Sequence, residues 1–124
     1  MDDRPVLQPG PDHPITVTPN PHRVTVSFGG RKIADTRSAL TLQEAHYPAV
    51  QYIPLADVDT SLLQESDHST YCPYKGQASY FSIPEMDGPG ENVVWQYRQP
   101  HPPVSEIKDL VAFYDNRVEI VEQP

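Results

Sequence analysis

The sequence predicts a mainly β fold, in which barrel-like antiparallel sheets and two short helices form a single compact domain. First, several short runs alternate between apolar and polar side chains, as strands with one buried face do. Second, the 124 residues include 15 prolines and 6 glycines, which provide frequent turns between those runs. Third, only two short segments show the apolar spacing of a helix. These features together favour short strands joined by tight turns.

About eight strands are predicted. The clearest is 23–28, because Val24, Val26 and Phe28 alternate with polar residues, and Gly29-Gly30 then permits a hairpin turn with positive φ. Residues 39–44 also have the spacing of a helix capping box, but no helical stripe follows them, so a strand is favoured. The predicted strands are 14–18, 23–28, 31–36, 39–44, 50–53, 78–83, 93–98 and 117–121.

Two short helices complete the predicted fold. Residues 57–65 form the first, because Asp57 or Asp59 can cap it and Leu62 and Leu63 supply a buried side. Residues 104–110 form the second, and residues 111–114 that follow are compatible with a strand. Residues 66–69 are predicted as a polar loop. Residues 1–12 are expected to be a flexible tail, residues 13–121 the domain, and residues 122–124 a short C-terminal tail.

Charge and composition exclude several functions. The chain has 9 Lys and Arg against 17 Asp and Glu, a net charge of −8, which argues against binding to nucleic acid. No apolar run approaches the ~20 residues of a membrane span. With Cys72 as the single cysteine, an intramolecular disulfide is impossible, and a cytoplasmic location is expected. The five histidines are scattered, so no metal site and no cofactor is predicted.

A set of short motifs resembles a known family, the domain of unknown function 427, which is sometimes labelled a nucleotidyltransferase family. The most specific motif is Cys-Pro-x-Lys-Gly-x-Ala-x-Tyr, and the order and spacing of the set match over residues 13–121. The motifs are Tyr52-Ile53-Pro54, Asp57-Val58, Leu62-Leu63, Cys72 to Tyr80, Trp95-Gln96-Tyr97 and Val111 to Tyr114.

The resemblance implies a small fold related to the Mss4-like β-tent group, and it implies no established reaction. Many Mss4-like domains hold zinc with paired Cys-x-x-Cys knuckles. Here Lys75 stands where the second thiolate would be, so we expect a knuckle-like turn without metal. Nucleotidyl transfer usually needs paired acidic metal ligands beside a Gly-Ser turn, and this sequence has no Gly-Ser dipeptide.

The Cys72 to Gly76 turn is the first candidate for chemistry. Residues i and i+3 of such a turn can bring Sγ of Cys72 close to Nζ of Lys75, which would favour the reactive thiolate. His68 or Glu44 could then carry the proton. The alternative is that Cys72 packs as a buried residue and Lys75 is a solvated turn residue.

The aromatic residues suggest a second possibility, a binding pocket. Seven tyrosines are many for a core, because each buried hydroxyl needs a partner, whereas pockets are often lined by Tyr and Trp. The expected ligand is a small molecule with an anionic group, which two cations grip while aromatic rings stack on its planar part. The predicted ligand-binding residues are Arg37, Tyr52, Lys75, Tyr80, Trp95 and Tyr97.

Small-molecule binding is therefore the favoured function, and three alternatives remain open. The first is an enzyme that uses Cys72 as a nucleophile or redox thiol. The second is an interaction module with an exposed sheet edge or aromatic patch. The third is nucleotidyl transfer, as the family label suggests.

Overall fold

The computed structural model describes residues 3–124 and confirms a mainly β, single-domain fold. Its strands form three antiparallel sheets, which do not close into a barrel. The strands are β1 Ile15–Pro19, β2 Arg23–Phe28, β3 Arg31–Thr36, β4 Leu40–Glu44, β5 Val50–Tyr52, β6 Gln64–Cys72, β7 Gly76–Ser82, β8 Val94–Tyr97, β9 Val111–Phe113 and β10 Glu119–Gln123. The sheet orders are β1-β4-β5, β10-β2-β3 and β6-β7-β8-β9.

The four-stranded sheet is the centre of the domain, because each of its faces packs against one of the other sheets. Residues that pair on neighbouring strands point to the same face: Tyr80 pairs with Trp95, and Trp95 pairs with Ala112. The residues between them, such as Phe81 and Val94, point to the opposite face. An Ile53–Val111 bridge joins β5 to β9 and links two of the sheets.

The two faces bury chemically different side chains. One face packs on β2 and β3 through an aliphatic cluster, whose fully buried members include Val24, Val26, Ile33, Ile83, Val93 and Val94. The other face packs on β4 and β5 through a tyrosine cluster, which contains Tyr52, Tyr80 and Tyr97 with Leu42, Ala78, Val104, Ile107 and Ala112. The candidate site adjoins the tyrosine cluster.

Both predicted helices are replaced by 3₁₀ turns. The segment predicted as a helix at 57–65 begins at the end of the turn Leu55–Asp57, contains the turn Thr60–Leu62 and enters β6 at Gln64. Asp59 does cap the second turn, since its side chain accepts from the Ser61 amide. The second predicted helix is the 3₁₀ segment Pro102–Ile107, which is kinked at Val104. Further short turns lie at Pro84–Met86 and Gly88–Gly90.

The prediction of a polar loop at residues 66–69 is wrong, because these residues belong to β6. This nine-residue strand lies at the edge of the four-stranded sheet and pairs only with β7. An edge strand is exposed, so it can carry polar side chains on both faces and lacks the alternation that marks a half-buried strand. Within residues 3–124, no helix is long and apolar enough to cross a membrane.

Candidate functional site

An aromatic cleft of about 570 Å³ lies beside the tyrosine cluster. One wall comes from β4, β5 and the loop between them, together with Lys75. The other wall comes from β9, β10 and the residues that join them. Four aromatic side chains line the cleft: Tyr47, Trp95, Phe113 and Tyr114. The aromatic cleft therefore presents flat apolar surface beside a few polar groups, which is typical of small-molecule sites.

Trp95 is fixed by contacts on two sides. Its indole Nε1 donates a hydrogen bond to the hydroxyl of Tyr52 at 3.1 Å, and the two rings meet edge to face. On the other side, the ring of Tyr114 lies 4.7 Å from the Trp95 ring, centroid to centroid. Burial raises the pKa of Tyr52 far above its usual range, so its hydroxyl stays protonated at physiological pH.

Glu44 and Lys75 form a half-buried ion pair in the wall of the aromatic cleft. The Glu44 carboxylate accepts hydrogen bonds from Lys75 Nζ at 2.6 Å and from His13 Nε2 at 2.7 Å. Burial alone would raise the pKa of Glu44. The hydrogen bonds from Lys75 and His13 together have the larger effect, so the pKa of Glu44 lies below its ordinary value. Glu44 is consequently ionised at neutral pH. The ring of His13 stacks on the ring of Tyr74, with 4.0 Å between the ring centroids.

The turn between β6 and β7 delivers Lys75 to the aromatic cleft. The Lys75 amide donates to the carbonyl of Cys72, which closes the turn, and Gly76 then adopts φ of 113°. A side chain at Gly76 would lie 3.3 Å from the carbonyl oxygen of Gln99, so both the positive φ and the close approach require glycine. The amide of His101 donates to the Lys75 carbonyl at 2.9 Å and holds the turn from outside.

Cys72 lies behind the cleft wall and is absent from the cleft lining. It is half-buried, and its pairing with Gly76 places it on the sheet face that carries the tyrosine cluster. Burial is the main cause that raises the pKa values of Tyr52 and Tyr97, and the negative charge of a Cys72 thiolate is a smaller one. The ammonium group of Lys75, which the sequence hypothesis assigned to Cys72, is hydrogen-bonded to Glu44 instead.

The other predicted site residues lie on different strands and differ in their exposure. His68 is exposed on β6, four strand positions or about 13 Å from Cys72, and its ring lies 4.6 Å from that of Tyr80. Tyr80 shares a hydrogen bond of 2.8 Å with Thr70. Tyr97 is buried, and burial raises its pKa well above the ordinary value.

Arg37 lies in a separate groove beside Pro19 and Asn20, on an exposed part of the chain. The structure therefore brings together Glu44, Lys75, Tyr52 and Trp95 from the predicted set, and it does not bring Arg37 or His68 to them. Among residues 3–124, no three His, Cys, Asp or Glu side chains converge as metal ligands would.

Sequence reasoning did not assign His13, Asp115 or Glu122 to a site. His13 reaches Glu44 from 31 positions away, and Asp115 and Glu122 line the aromatic cleft from the β9 and β10 side. No local spacing joins these residues to Lys75, because the sheet arrangement alone brings them together. The one available signal was the density of aromatic residues around residues 95 and 113–114.

Fold and site together define a small mainly β domain of antiparallel sheets, with an aromatic cleft beside a paired carboxylate and ammonium group. A family model described as a domain of unknown function, DUF427, matches residues 16–124. The chain therefore belongs to the DUF427 family, in agreement with the motifs in its sequence. The name of the family model mentions nucleotidyl transfer, but its description states no reaction. No curated protein matched the chain.

Proposed function

We propose that this domain binds a planar small molecule in the aromatic cleft. The observation that carries this proposal is the position of Trp95, whose ring lines the cleft while Tyr52 and Tyr114 hold it from both sides. A fixed indole face offers stacking surface without a large loss of side-chain entropy on binding. The cytoplasmic location expected from the single cysteine is part of the same proposal.

The charges around the cleft favour a ligand with a cationic or hydrogen-bond-donating group. The positive charge of Lys75 is already compensated by Glu44, while Asp115 and Glu122 add negative charge to the opposite wall. The Glu122 carboxylate also accepts from Asn20 at 3.2 Å and lies 3.4 Å from Nδ1 of His22. A cation over an indole face gains further electrostatic stabilisation. The anionic ligand expected from the sequence would instead have to compete with Glu44 for Lys75, and Arg37 lines a different groove from the aromatic cleft.

Thiol chemistry at Cys72 has less support, because neither a cation nor a base among residues 3–124 is paired with its Sγ atom. Lys75 is bonded to Glu44, and the extended strand separates Cys72 from His68.

The chain offers a direct test, because Trp95 is its only tryptophan and gives a single indole N–H signal in NMR spectra. Three planar pyridine compounds of similar size differ in charge: 1-methylnicotinamide, methylated on the ring nitrogen, is cationic, nicotinamide is neutral and nicotinate is anionic. We expect saturable shifts of the Trp95 signal, with the cation binding about tenfold more tightly than the anion, a difference of ~1.4 kcal/mol.

Variants separate the alternatives in this experiment. Replacing Asp115→Asn together with Glu122→Gln should remove the preference for the cation, whereas Arg37→Gln should leave it unchanged. Tighter binding of nicotinate that is lost in Lys75→Met would favour the anionic ligand and overturn the cationic preference. The absence of saturable shifts with all three compounds would overturn the proposal of a ligand site at Trp95.

A further inference from the structure

A second groove, of about 650 Å³, carries an unusual concentration of positive charge. It is lined by three of the nine Lys and Arg residues of a chain with net charge −8, namely Arg4, Arg98 and Lys108. His101 and Asp109 also line this basic groove. The cations come from the N-terminal segment, from the residue after β8 and from the turn before β9, so the fold collects them from separate parts of the chain.

The floor of the basic groove is the four-stranded sheet, beyond the part that the aliphatic cluster covers. Tyr71 on β6 pairs with Gln77 on β7, and Ser79 follows on the same face. The Tyr71 hydroxyl donates to the carbonyl of Pro5 at 2.7 Å and lies 3.2 Å from Nε2 of His101. The groove thus offers hydroxyl, amide and imidazole groups between its cations.

The buried side chain of Gln96 orients two parts of the basic groove, Arg98 and the turn at Lys108 and Asp109. Gln96 is only 3% exposed, and its amide oxygen accepts from Nε of Arg98 at 3.1 Å. Its amide nitrogen donates to the carbonyl of Asp109 at 2.8 Å. Because both polar groups of Gln96 are used in this way, the guanidinium of Arg98 and the turn at Lys108 are held in a fixed relation.

Lys108 stands at the rim of the basic groove. Asp109 follows it with φ of 64°, a left-handed conformation that the bonds to Gln96 and to the Tyr97 carbonyl maintain. Within residues 3–124, Nζ of Lys108 has no hydrogen-bond or ion-pair partner. Arg98 also contacts Glu65 at 3.2 Å, but both side chains are at least half exposed, so this pair is weak.

We propose that the basic groove binds a phosphoryl group, either of free phosphate or of a phosphate ester. A guanidinium fork and an ammonium group around a polar floor are the usual partners of phosphate oxygens, and the guanidinium here is oriented in advance by Gln96. The site is distinct from the aromatic cleft and shares no lining residue with it.

Calorimetric titration at low ionic strength tests this proposal with inorganic pyrophosphate, inorganic phosphate, phenyl phosphate and sulfate. We expect saturable binding of pyrophosphate, weakened about tenfold by Arg98→Gln and by Lys108→Gln. Tighter binding of phenyl phosphate than of inorganic phosphate would identify an ester as the ligand, and the reverse order would identify the free ion.

The matched control is Arg37→Gln, which also removes one exposed positive charge but lies in another groove. Arg37→Gln should leave the affinity for pyrophosphate within about twofold of the original. An equal loss in all three variants would indicate general charge attraction and overturn the proposal. Absence of saturable binding, or sulfate bound as tightly as pyrophosphate, would overturn it as well.

Discussion

The two faces of the four-stranded sheet differ in the chemistry of the side chains that they bury. The aliphatic cluster consists of Val, Ile and similar side chains that need no hydrogen-bond partner. The tyrosine cluster places hydroxyl groups in the interior and adjoins the Glu44–Lys75 pair. Such groups are costly to bury unless each finds a partner. We therefore expect truncations in the aliphatic cluster to have large effects on stability.

The largest effect is expected from a truncation in the aliphatic cluster. Ile83 is fully buried there, and Ile83→Ala removes apolar contacts and leaves a cavity, which should lower the free energy of unfolding by about 2–5 kcal/mol. Urea denaturation followed by Trp95 fluorescence measures this change. A loss of less than about 1 kcal/mol would contradict this expectation.

The next effect in size concerns the half-buried ion pair. Glu44→Gln removes the carboxylate and leaves Lys75, which is only 16% exposed, without its partner. We expect a loss of about 2 kcal/mol at neutral pH, below the full cost of a deeply buried pair, since water still reaches both groups.

This loss should depend on pH in a defined direction. Because folding lowers the pKa of Glu44 below its ordinary value of 4.5, its stabilisation is complete above that pH and disappears as the pH falls through the folded-state pKa. The difference between Glu44→Gln and the original chain should therefore shrink in acid. Asp35→Asn, in a more exposed ion pair with Arg23 and Lys32, should cause a smaller loss at neutral pH. A difference for Glu44→Gln that grows in acid would contradict the assignment.

A smaller effect is expected from the bond that holds Trp95. Tyr52→Phe removes the acceptor of the indole N–H, and the loss of one such bond should cost about 1 kcal/mol. The indole N–H signal of Trp95 should also move, which Ile83→Ala should not cause. An unchanged signal in Tyr52→Phe would show that this bond does not form in solution.

The smallest effect is expected from Tyr97. Its hydroxyl has no side-chain partner within residues 3–124, so Tyr97→Phe should change stability by less than about 1 kcal/mol. Burial raises its pKa, so this variant should not alter the tyrosine absorbance change near pH ~10, where ordinary phenols ionise. A titration step near that pH that disappears in Tyr97→Phe would show that the tyrosine cluster is open to water.

The sequence was sufficient for the strands whose two faces differ. β2 and β3 were predicted with their observed bounds, because Val24, Val26 and Ile33 alternate with polar neighbours. β6 was missed because an edge strand lacks that alternation. The helix predicted around Leu62 failed because a single pair of leucines is compatible with a 3₁₀ turn that leads into a strand.

The candidate site was less predictable than the fold, because its contacts span long distances in the chain. Lys75 was predicted to lie beside Cys72, but the partner of its ammonium group is Glu44, 31 residues away. Arg37 was grouped with Lys75 on charge alone, and the sheets place it in another groove. Only the three-dimensional arrangement decides which of several local candidates meet.

The turn at Lys75 and Gly76 gives the molecule a property that neither site has alone. The side chain of Lys75 lines the aromatic cleft, while its carbonyl oxygen accepts from the amide of His101, which lines the basic groove. One peptide unit is thus common to the surroundings of both sites. Suppose that a ligand bound at one site displaces this unit and thereby changes the affinity of the other site by some factor. Thermodynamic reciprocity then requires that a ligand bound at the second site changes the affinity of the first by the same factor. Gly76, with its positive φ and close approach to Gln99, keeps that unit in place. If both proposed sites bind ligands, a substitution at Gly76 should therefore change both affinities.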